Sequence, residues 1–277
     1  MKLLRWGERG AEKPGILDAA GHIRDLSSVV ADIDGTTLGD PSVFKDIGRL
    51  PVVTGSPRIG ACVGSVGKMI CVGLNYADHA AEAGLALPAE PIIFFKATSS
   101  ICGPDDDLVL PKGSSKVDWE VELGVVIGRT LNCADESEAR RGIAGYCVIN
   151  DISERGWQLE RGGQWVKGKS ADGFGPMGPW LVTADSVQDD GALGLWLEVD
   201  GRRYQNSSTA QMVFKPAFLV SYLSQFMSLQ PGDVISTGTP PGVGLGMKPP
   251  VYLRAGQIVR LGIDGLGIQT QRVVAHS

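Results

Sequence analysis

The sequence predicts a mixed α+β protein that is rich in strands and carries a few short helices. Glycine makes up 38 of the 277 residues, roughly twice its ordinary share, and this frequency indicates many tight turns. The apolar runs are short and are bounded by turn-forming residues, a pattern typical of strands rather than of long helices. Pro216–Phe226 is the clearest helical segment, and it begins with proline, which is common at the first position of a helix.

Residues 1–65 are expected to form a small N-terminal domain, and residues 66–277 a larger one. Gly15–Leu17 and His22–Arg24 flank the turn-forming residues Asp18–Gly21, so this segment predicts a hairpin. The stretch that follows, up to Gly67, is rich in glycine and proline and has no regular apolar pattern. From Met69 onwards the apolar runs lie closer together, which places the boundary near residue 65.

Two buried strands around a short helix are predicted at the start of the larger domain. Met69–Val72 and Ile92–Lys96 are the apolar runs that predict the strands. The side chain of Asn75 can cap the helix between them, and Gly84 can end it.

The rest of the larger domain is predicted to consist mainly of strands. Val117–Ile127 forms a long apolar run and predicts one strand, and Gly145–Asn150 predicts another. Asp200–Gly201 and Asp264–Gly265 each stand between two apolar runs. Because Asp-Gly is a strong signal for a two-residue turn, both pairs predict hairpins.

The charge and cysteine patterns bear on partners and compartment. Lysine and arginine number 26 against 31 aspartate and glutamate residues, so the net charge is −5. No basic run offers nucleic acid or an anionic membrane a binding surface, and neither is expected as a partner. No apolar run is long enough to span a bilayer, and the first residues lack the apolar stretch of a signal peptide. The five cysteines are odd in number and form no CxxC pair, so we expect reduced thiols in the cytoplasm.

Two motifs match phosphate-binding patterns in letters but not in context. Asp32–Thr36 spells the DxDGT of a phosphatase class, in which a buried strand leads to the first aspartate. Only a very short apolar run precedes it here, so a loop with an Asp-Gly turn is the favoured interpretation. Gly163–Ser170 matches Walker A, which needs a strand before it and a helix after it. A charged, helix-like segment precedes it and a glycine-rich segment follows it, so no phosphate-binding loop is predicted.

A group of carboxylates is the strongest signal for chemistry. Strand periodicity places Glu120 and Glu122 on one face, where two unpaired carboxylates repel each other unless a cation lies between them. On an exposed face the pair would simply be solvated, but its strongly apolar flanks favour burial. Asp151 ends another apolar strand, and three carboxylates suit a site that binds a hard cation through oxygen. Asp118 would share this side only in a regular strand, and it is left out of the predicted site.

A histidine and a glutamate form a second candidate group. His79 and Glu82 lie three residues apart in the predicted short helix and therefore share one face. A carboxylate beside an imidazole fixes its tautomer and raises its basicity, as a general base requires. The alternative interpretation is an ordinary solvated helix face, and the spacing alone leaves both open.

Several segments from residue 71 onwards stand in a characteristic order and spacing. They are Cys71–His79, Phe94–Lys96, Glu120–Val126, Asn150–Arg155, Lys169–Ser170 and Thr237–Gly244. In this combination they strongly resemble the fumarylacetoacetate hydrolase family, and the resemblance runs from about Met69 to the C terminus. It implies a roll of mixed β-sheets with short flanking helices, behind a small N-terminal domain. Members of the family are usually dimeric, so a homodimer is expected.

The resemblance also implies roles for individual side chains. The groups are the Mg²⁺ or Mn²⁺ ligands Glu120, Glu122 and Asp151, the catalytic residues His79, Glu82 and Lys169, and the substrate-binding residues Arg155, Gln158, Thr239 and Lys96. The histidine and glutamate correspond to a pair that activates water on a mobile lid. Lys96 is the weakest of these matches.

The activity implied is hydrolysis of the C3–C4 bond of a 2,4-dioxo acid, which yields pyruvate and a second acid. Gln158–Trp165 resembles the branch of the family that hydrolyses 2,4-diketo-3-deoxy sugar acids, such as the rhamnonate or fuconate derivatives. Some proteins of that branch carry the name ureidoglycolate lyase. The expected substrate is therefore an acylpyruvate or such a sugar acid, the latter in carbohydrate-acid catabolism. Isomerisation or decarboxylation of a 2-oxo acid would pass through the same enolate, and both stay open.

Overall fold

The computed structural model describes residues 1–44, 47–84 and 86–276. Strands dominate this part of the chain and the helices are short, which confirms the mixed α+β class predicted from the sequence. The strands are β1 (Lys2–Trp6), β2 (Lys13–Leu17), β3 (Ile23–Asp25), β4 (Met69–Gly73), β5 (Ile92–Lys96), β6 (Ile101–Cys102), β7 (Leu108–Val109), β8 (Val117–Asp118), β9 (Val121–Ile127), β10 (Ile143–Asn150), β11 (Ser153–Glu154), β12 (Gly175–Thr183), β13 (Gly194–Val199), β14 (Arg202–Ser208), β15 (Val234–Ser236), β16 (Ile258–Ile263) and β17 (Gly267–Val274). The helices are α1 (Gly35–Leu38), α2 (Ala77–Ala83), α3 (Glu136–Gly142), α4 (Arg155–Leu159), α5 (Val166–Lys169) and α6 (Pro216–Ser224). None of the helices in the described ranges is long and apolar enough to cross a bilayer.

The largest sheet among the described residues has ten strands. Its order is β3-β2-β1-β12-β10-β9-β15-β4-β5, with β6 beside β12. The predicted hairpin is present as β2 and β3. β1 pairs with β12 through Leu3 and Leu181, so residues 1–65 add three strands to the edge of this sheet. The parts of the chain on either side of residue 65 therefore share one sheet, and their division into two domains stays a prediction.

A second sheet packs against the first. In the described part of the chain it has five strands, in the order β14-β13-β16-β17-β7. Both predicted hairpins are present: Asp200–Gly201 forms a two-residue turn, whereas Asp264–Gly265 belongs to a three-residue loop that ends at Leu266. Both residues of the first turn have positive φ angles, 50° and 78°, as a two-residue hairpin of this kind requires. Buried leucines of β13 and β16 join valines of β9 in one apolar cluster, which holds the two sheets together.

β9 is the centre of the large sheet. It lies between β10 and β15, and all of its residues are buried. A strand that is covered on both faces needs apolar side chains at nearly every position, which explains the run Leu123–Ile127. The exception is Glu122, which is buried in the same strand and faces the candidate site described below.

The predicted long strand Val117–Ile127 is interrupted at Trp119 and Glu120, so the prediction of one continuous strand is wrong. The amide of Trp119 donates to the side chain of Asp118, and the amide of Glu120 donates to Oδ1 of Asn150. Because side chains accept these N–H groups, the two residues leave the hydrogen-bond ladder of the sheet. The position of Glu120 is therefore set by these contacts and not by regular strand alternation.

The short helix predicted between the first two strands of the larger domain is present as α2, but Asn75 does not cap it. The cap position is Tyr76, whose side chain makes no capping bond. The Asn75 side chain instead donates to the carbonyls of Phe214 and Thr237 and accepts from the Phe214 amide. It therefore ties the start of α2 to the loop after β15. Gly84 ends the helix with a φ of 66°, as predicted.

Candidate functional site

One cavity, of about 490 Å³, brings together most of the residues singled out by the sequence. Its walls come from the β4–α2 connection, the start of β9, helices α4 and α5, and the loop after β15. All of the predicted site residues except Asp151 and Lys96 line it. Distant parts of the chain thus meet at one concave surface, as a binding or catalytic site requires.

Three buried carboxylates form the candidate metal site. Glu120, Glu122 and Asp151 each offer an oxygen, and these oxygens lie within 4.8 Å of one another. The three residues are 6%, 2% and 0% exposed, respectively. The Asp151 amide donates to the Glu120 carbonyl at 2.9 Å, which fixes the two backbones relative to each other. A donor set of oxygen atoms alone suits Mg²⁺ or Mn²⁺, and three buried like charges need positive charge close by.

Two buried lysines contact these carboxylates. Nζ of Lys169 lies 2.5 Å from a Glu120 oxygen and 2.6 Å from an Asp151 oxygen. Nζ of Lys96 donates to the other Asp151 oxygen at 2.6 Å and to the Ile152 carbonyl at 3.0 Å. Burial acts to lower the pKa of Lys169, but Asp151 and Glu120 outweigh it and raise that pKa above its ordinary value. Lys169 therefore keeps its positive charge inside the protein.

The surroundings of the two glutamates move their pKa values in opposite directions. Burial raises the pKa of Glu122 to about 8, and the charges of Asp151 and Glu120 add to the rise. Burial acts in the same direction on Glu120, but Arg155 and Lys169 outweigh it and hold the pKa at about 2. Of these two carboxylates, Glu122 is the one whose charged form most needs a further cation.

His79 and Glu82 lie side by side on the cavity wall. Nδ1 of His79 is 3.3 Å from Oε2 of Glu82, and the same oxygen accepts the amide of Gly242 at 3.2 Å. The side chain of His79 is 14% exposed and that of Glu82 29% exposed. The pair is therefore held against the loop after β15 and differs from the freely solvated helix face that the sequence left open.

Arg155 connects the carboxylates to a residue that the sequence prediction left out. Its Nε donates to Asp118 at 2.8 Å, its Nη2 to Glu120 at 2.6 Å and its Nη1 to Gln158 at 3.0 Å. Arginine has five N–H groups, so these three bonds leave two for a ligand. The spacing of two residues between Asp118 and Glu120 could have indicated that both belong to the site. Because the backbone between them is irregular, strand periodicity did not predict this.

Thr239 and Lys96 were predicted to bind substrate, but the side chains of both already form hydrogen bonds with other protein groups. The Thr239 hydroxyl donates to the Val121 carbonyl at 3.0 Å and accepts from Gln205 at 2.8 Å. It lines the cavity, but its hydrogen must turn away from Val121 before it can reach a substrate carboxylate. Lys96 lies off the lining and holds Asp151, so its position favours a supporting role over direct contact with a substrate.

The two phosphate-binding motifs lie in other settings. Asp32 accepts two hydrogen bonds from Arg5, at 2.7 and 2.9 Å, and does not line the cavity. Asp34 caps the one-turn helix α1 with its side chain, so a helix stands where a loop was predicted. Gly163–Ser170 follows α4 instead of a strand, which removes the context that a Walker A motif needs.

The sequence prediction missed most of the apolar wall of the cavity. These lining residues are Val72, Leu74, Phe94, Leu159, Trp165, Val243, Leu245 and Met247. Trp165 packs edge-on against Phe94, with ring centroids 5.3 Å apart. Lys248, which is exposed, is the one polar side chain of the described lining outside the predicted site. Apolar residues are common everywhere in a chain, so no local signal distinguished these from core residues.

The fold and the site together define a member of one enzyme family. The chain belongs to the fumarylacetoacetate hydrolase family, because the family model described as Fumarylacetoacetate (FAA) hydrolase C-terminal matches residues 68–274. The resemblance seen in the sequence is therefore confirmed, and so is the strand-rich fold that it implied.

Similar proteins of the family differ in the reactions that their names give. A proposed hydrolase from Burkholderia cenocepacia is 65% identical over 277 residues, and the match covers 98% of each chain. The solved 2-hydroxyhepta-2,4-diene-1,7-dioate isomerase from Mycobacterium marinum is 31% identical with a TM-score of 0.76, and the match covers 100% of this chain and 99% of that one. Maleylpyruvate hydrolase from Sphingobium sp. SYK-6, solved with manganese(II) and pyruvate, is 26% identical with a TM-score of 0.82 and 100% coverage of both chains.

Proposed function

We propose that this protein is a Mg²⁺- or Mn²⁺-dependent hydrolase that cleaves the C3–C4 bond of an acylpyruvate and releases pyruvate and a carboxylic acid. The observation that carries the proposal is the single cavity that joins carboxylates, Lys169 and the pair His79–Glu82. The similar maleylpyruvate hydrolase, solved with manganese and pyruvate, supports it.

The donor set fits a divalent ion. Glu120, Glu122 and Asp151 offer only oxygen, and they are buried and close enough to share one ion. Lys96 would act as a support that fixes one of these ligands, Asp151. A divalent ion held there would act as a Lewis acid toward the 2-oxo group of the substrate.

His79 would take the proton from the attacking water. Its Nδ1 faces Glu82, so Nδ1 carries the hydrogen and Nε2 is left to accept a proton. Water attacks C4 of the substrate, the C3–C4 bond breaks, and its electron pair goes to the leaving pyruvate enolate. His79 then passes its proton to solvent, and C3 of the enolate takes a proton from solvent. Protons and electrons balance without any further reactant.

Lys169 and Arg155 would bind the reacting end of the substrate. Two of the three N–H groups of Lys169 are used by Glu120 and Asp151, so one is left for the enolate oxygen. Such a fixed donor in a buried site is an effective way to stabilise developing negative charge. The two unused N–H groups of Arg155 suit the substrate carboxylate, and Gln158 holds the guanidinium in place.

The apolar wall favours an acylpyruvate over a sugar acid. Most polar lining residues belong to the reacting end of the site, and the remaining wall is largely aliphatic and aromatic. A polyhydroxylated tail placed there would lose water without gaining hydrogen-bond partners. A hydrocarbon tail would instead gain from the burial of its apolar surface.

Pyruvate release from a panel of 2,4-dioxo acids tests the proposal. Acylpyruvates with hydrocarbon tails should be cleaved faster than 2,4-diketo-3-deoxy sugar acids, as followed by coupled detection of pyruvate. EDTA should abolish the activity, and added Mg²⁺ or Mn²⁺ should restore it. Release of no pyruvate from any member of the panel would refute the hydrolase assignment.

A second candidate is isomerisation of a 2-oxo acid through the same enolate. The similarity to the isomerase of Mycobacterium marinum favours it. Isomerisation would use the carboxylates and Lys169 in the same way, but it needs no water made nucleophilic by His79. A variant at His79 therefore separates the two reactions.

We also propose that the enzyme is a homodimer in the cytoplasm. The family resemblance supports the dimer, and free cysteines at positions 62, 71, 102, 133 and 147 support a reducing compartment. Light scattering coupled to gel filtration should give a mass of twice 29.3 kDa. A monomeric mass at micromolar concentration would contradict the dimer.

A further inference from the structure

Asp118 is a buried carboxylate that lies between two parts of the site. It is 0% exposed. Its Oδ1 accepts the amides of Trp119 at 2.8 Å and Gly244 at 2.6 Å. Its Oδ2 accepts the amide of Leu245 at 3.0 Å and Nε of Arg155 at 2.8 Å. All of its partners are donors, so the side chain is held as a carboxylate with every bond satisfied.

Asp118 accepts hydrogen bonds from the loop of residues 242–248, which we call the wall loop. This loop supplies several lining residues, among them Leu245 and Met247. At Gly244 a Cβ atom would collide with the Val251 carbonyl and would lie 2.7 Å from Oδ1 of Asp118. Only glycine lets the amide approach the carboxylate this closely, so the sequence of the loop is built around this contact.

The other side of Asp118 holds Arg155, and Arg155 holds Glu120. The Arg155–Glu120 contact is 2.6 Å long, and both side chains are buried. The negative charge of Asp118 balances part of the positive charge of Arg155. If Asp118 were uncharged, Glu120 would be the only carboxylate paired with Arg155. Arg155 would then compete more strongly with a metal cation for Glu120.

We propose that Asp118 is a positioning residue that couples the wall loop to the orientation of Glu120. The part that concerns metal binding rests on the proposed function, since it treats Glu120 as a ligand. The part that concerns the loop does not depend on the metal. Asp118 touches neither substrate nor metal in this scheme, and it acts through Arg155 and the amides of Gly244 and Leu245.

Asp118→Asn tests the coupling, with Glu154→Gln as the matched control. Asparagine keeps the shape but presents an N–H₂ group to Arg155 or to the Leu245 amide, which are both donors. Glu154 is almost as buried as Asp118 and caps α4 through the Trp157 amide, but the structure gives its side chain no bond to Arg155 or to the wall loop. The control therefore measures what loss of a buried carboxylate beside Arg155 does by itself.

Two measurements on the whole 277-residue chain test the coupling. Hydrogen–deuterium exchange of peptides that cover 242–248 should speed up in Asp118→Asn without metal and stay unchanged in Glu154→Gln. The Kd for Mn²⁺, from titration calorimetry, should rise about tenfold in Asp118→Asn, as is typical for residues that orient metal ligands. In an Arg155→Gln background, Asp118→Asn should add little to the loss of Mn²⁺ affinity.

The outcomes separate this inference from the proposed function. If wild type binds Mn²⁺ and releases pyruvate while Asp118→Asn changes neither exchange nor affinity, the positioning role is wrong and the proposed function stands. If wild type binds no Mn²⁺, the proposed function and the coupling to Glu120 both fall. If Asp118→Asn does not fold, Leu245→Pro removes one N–H donor from an exposed position, and unchanged Mn²⁺ affinity in that variant overturns the coupling.

Discussion

Glu122 is the residue on which the proposed metal site depends most. It is buried, and its carboxylate accepts the Ser236 hydroxyl at 2.6 Å and the Gly238 amide at 2.9 Å. These bonds fix the orientation of the carboxylate but do not neutralise it. A cation would do so, and the same charge is a burden to the fold when no cation is present.

Glu122→Gln should abolish tight binding of Mn²⁺ and leave the metal-free protein at least as stable as wild type. The amide keeps the shape and an acceptor for Gly238. Because the pKa of Glu122 is about 8, its side chain is largely uncharged at pH 7 without metal, and a neutral amide suits the same buried position. Calorimetric titration measures the binding, and thermal unfolding in EDTA measures the stability. Asp32→Asn serves as the control, because that carboxylate pairs with Arg5 outside the cavity. Mn²⁺ binding as tight as in wild type would show that Glu122 is not a ligand.

His79→Ala should lower pyruvate release by roughly 10²–10⁴, the range expected for a general base. Mn²⁺ affinity should not change, since His79 contacts Glu82 and none of the carboxylates of the metal site. Exchange of the C3 protons of a bound 2-oxo acid with D₂O, followed by NMR, should survive because the metal ligands and Lys169 remain. Loss of exchange together with cleavage would place His79 at the proton transfer and favour the isomerase.

The sequence singled out side chains that mostly line one cavity, but it did not predict all of their contacts. The segment from Cys71 to His79 and the two glutamates carry spacings that stand out in one chain. Asp118 and Asn75 were misjudged because their partners come from loops far along the chain, at Gly244 and Phe214. No local pattern shows which side chain will meet a backbone amide that lies more than a hundred residues away.

Among the strands and helices, β9 is the one that carries both the core and the site. Leu123 is fully buried in it, between β10 and β15 and under the second sheet. Leu123→Ala should lower the free energy of unfolding by about 2–5 kcal/mol, the usual cost of such a cavity. Urea denaturation measures the change.

Ile268→Ala is the matched control for β9. Ile268 lies in β17 and is 46% exposed, so its truncation should change the free energy of unfolding by about 0.5 kcal/mol or less. Equal costs for the two substitutions would contradict the central position of β9 in the core.

The strands were easier to predict than the way in which they end. Continuous apolar runs predicted β4, β9 and β10 because a strand buried on both faces leaves no room for polar positions. The run Ile92–Lys96 also predicted a strand, but the expectation that β5 is buried is wrong, because it lies at the edge of the sheet with Ile92 and Phe95 exposed. The interruption between β8 and β9 and the cap of α2 depend on side chains that take over backbone hydrogen bonds. Those partners become available only after the sheets have formed.

On the scale of the whole molecule, Arg58 joins residues 1–65 to the rest of the described chain by its ion pair with Asp106. It forms two hydrogen bonds with Asp106, at 2.7 and 2.6 Å, and one with Glu12 at 2.9 Å. Burial acts to raise the pKa of Asp106, but the hydrogen bonds from Arg58 and from the Gly103 amide, together with the charge of Arg58, outweigh it and lower the pKa below its ordinary value of 3.8.

Asp106→Asn should therefore be less stable than wild type at neutral pH, and the difference should shrink in acid. A carboxylate with a lowered pKa in the folded state stabilises the fold above its ordinary pKa and loses this effect as the pH falls through the lowered value. Urea denaturation of both proteins at pH 7, 5 and 3 measures the difference. A difference that is as large at pH 3 as at pH 7 would contradict this role.

The shared sheet is the feature of the whole molecule that the sequence could not show. The composition placed a boundary near residue 65, and the hairpin β2–β3 was predicted from its turn. The pairing of β1 with β12 joins positions almost 180 residues apart, such as Leu3 and Leu181. Neither strand has a sequence feature that identifies the other as its partner. The edge at which residues 1–65 join the sheet is therefore seen only in the structure.

Cleavage of an acylpyruvate in H₂¹⁸O tests the central claim most directly. If water activated at His79 attacks C4, mass spectrometry should find at least one ¹⁸O atom in the carboxylic acid released with pyruvate. The released acid incubated alone with the enzyme in H₂¹⁸O is the control, and it should stay unlabelled. The acid and its label should both be lost when EDTA removes the metal. Conversion of the substrate without release of a labelled acid would contradict hydrolysis and leave isomerisation or decarboxylation as the reaction of this site.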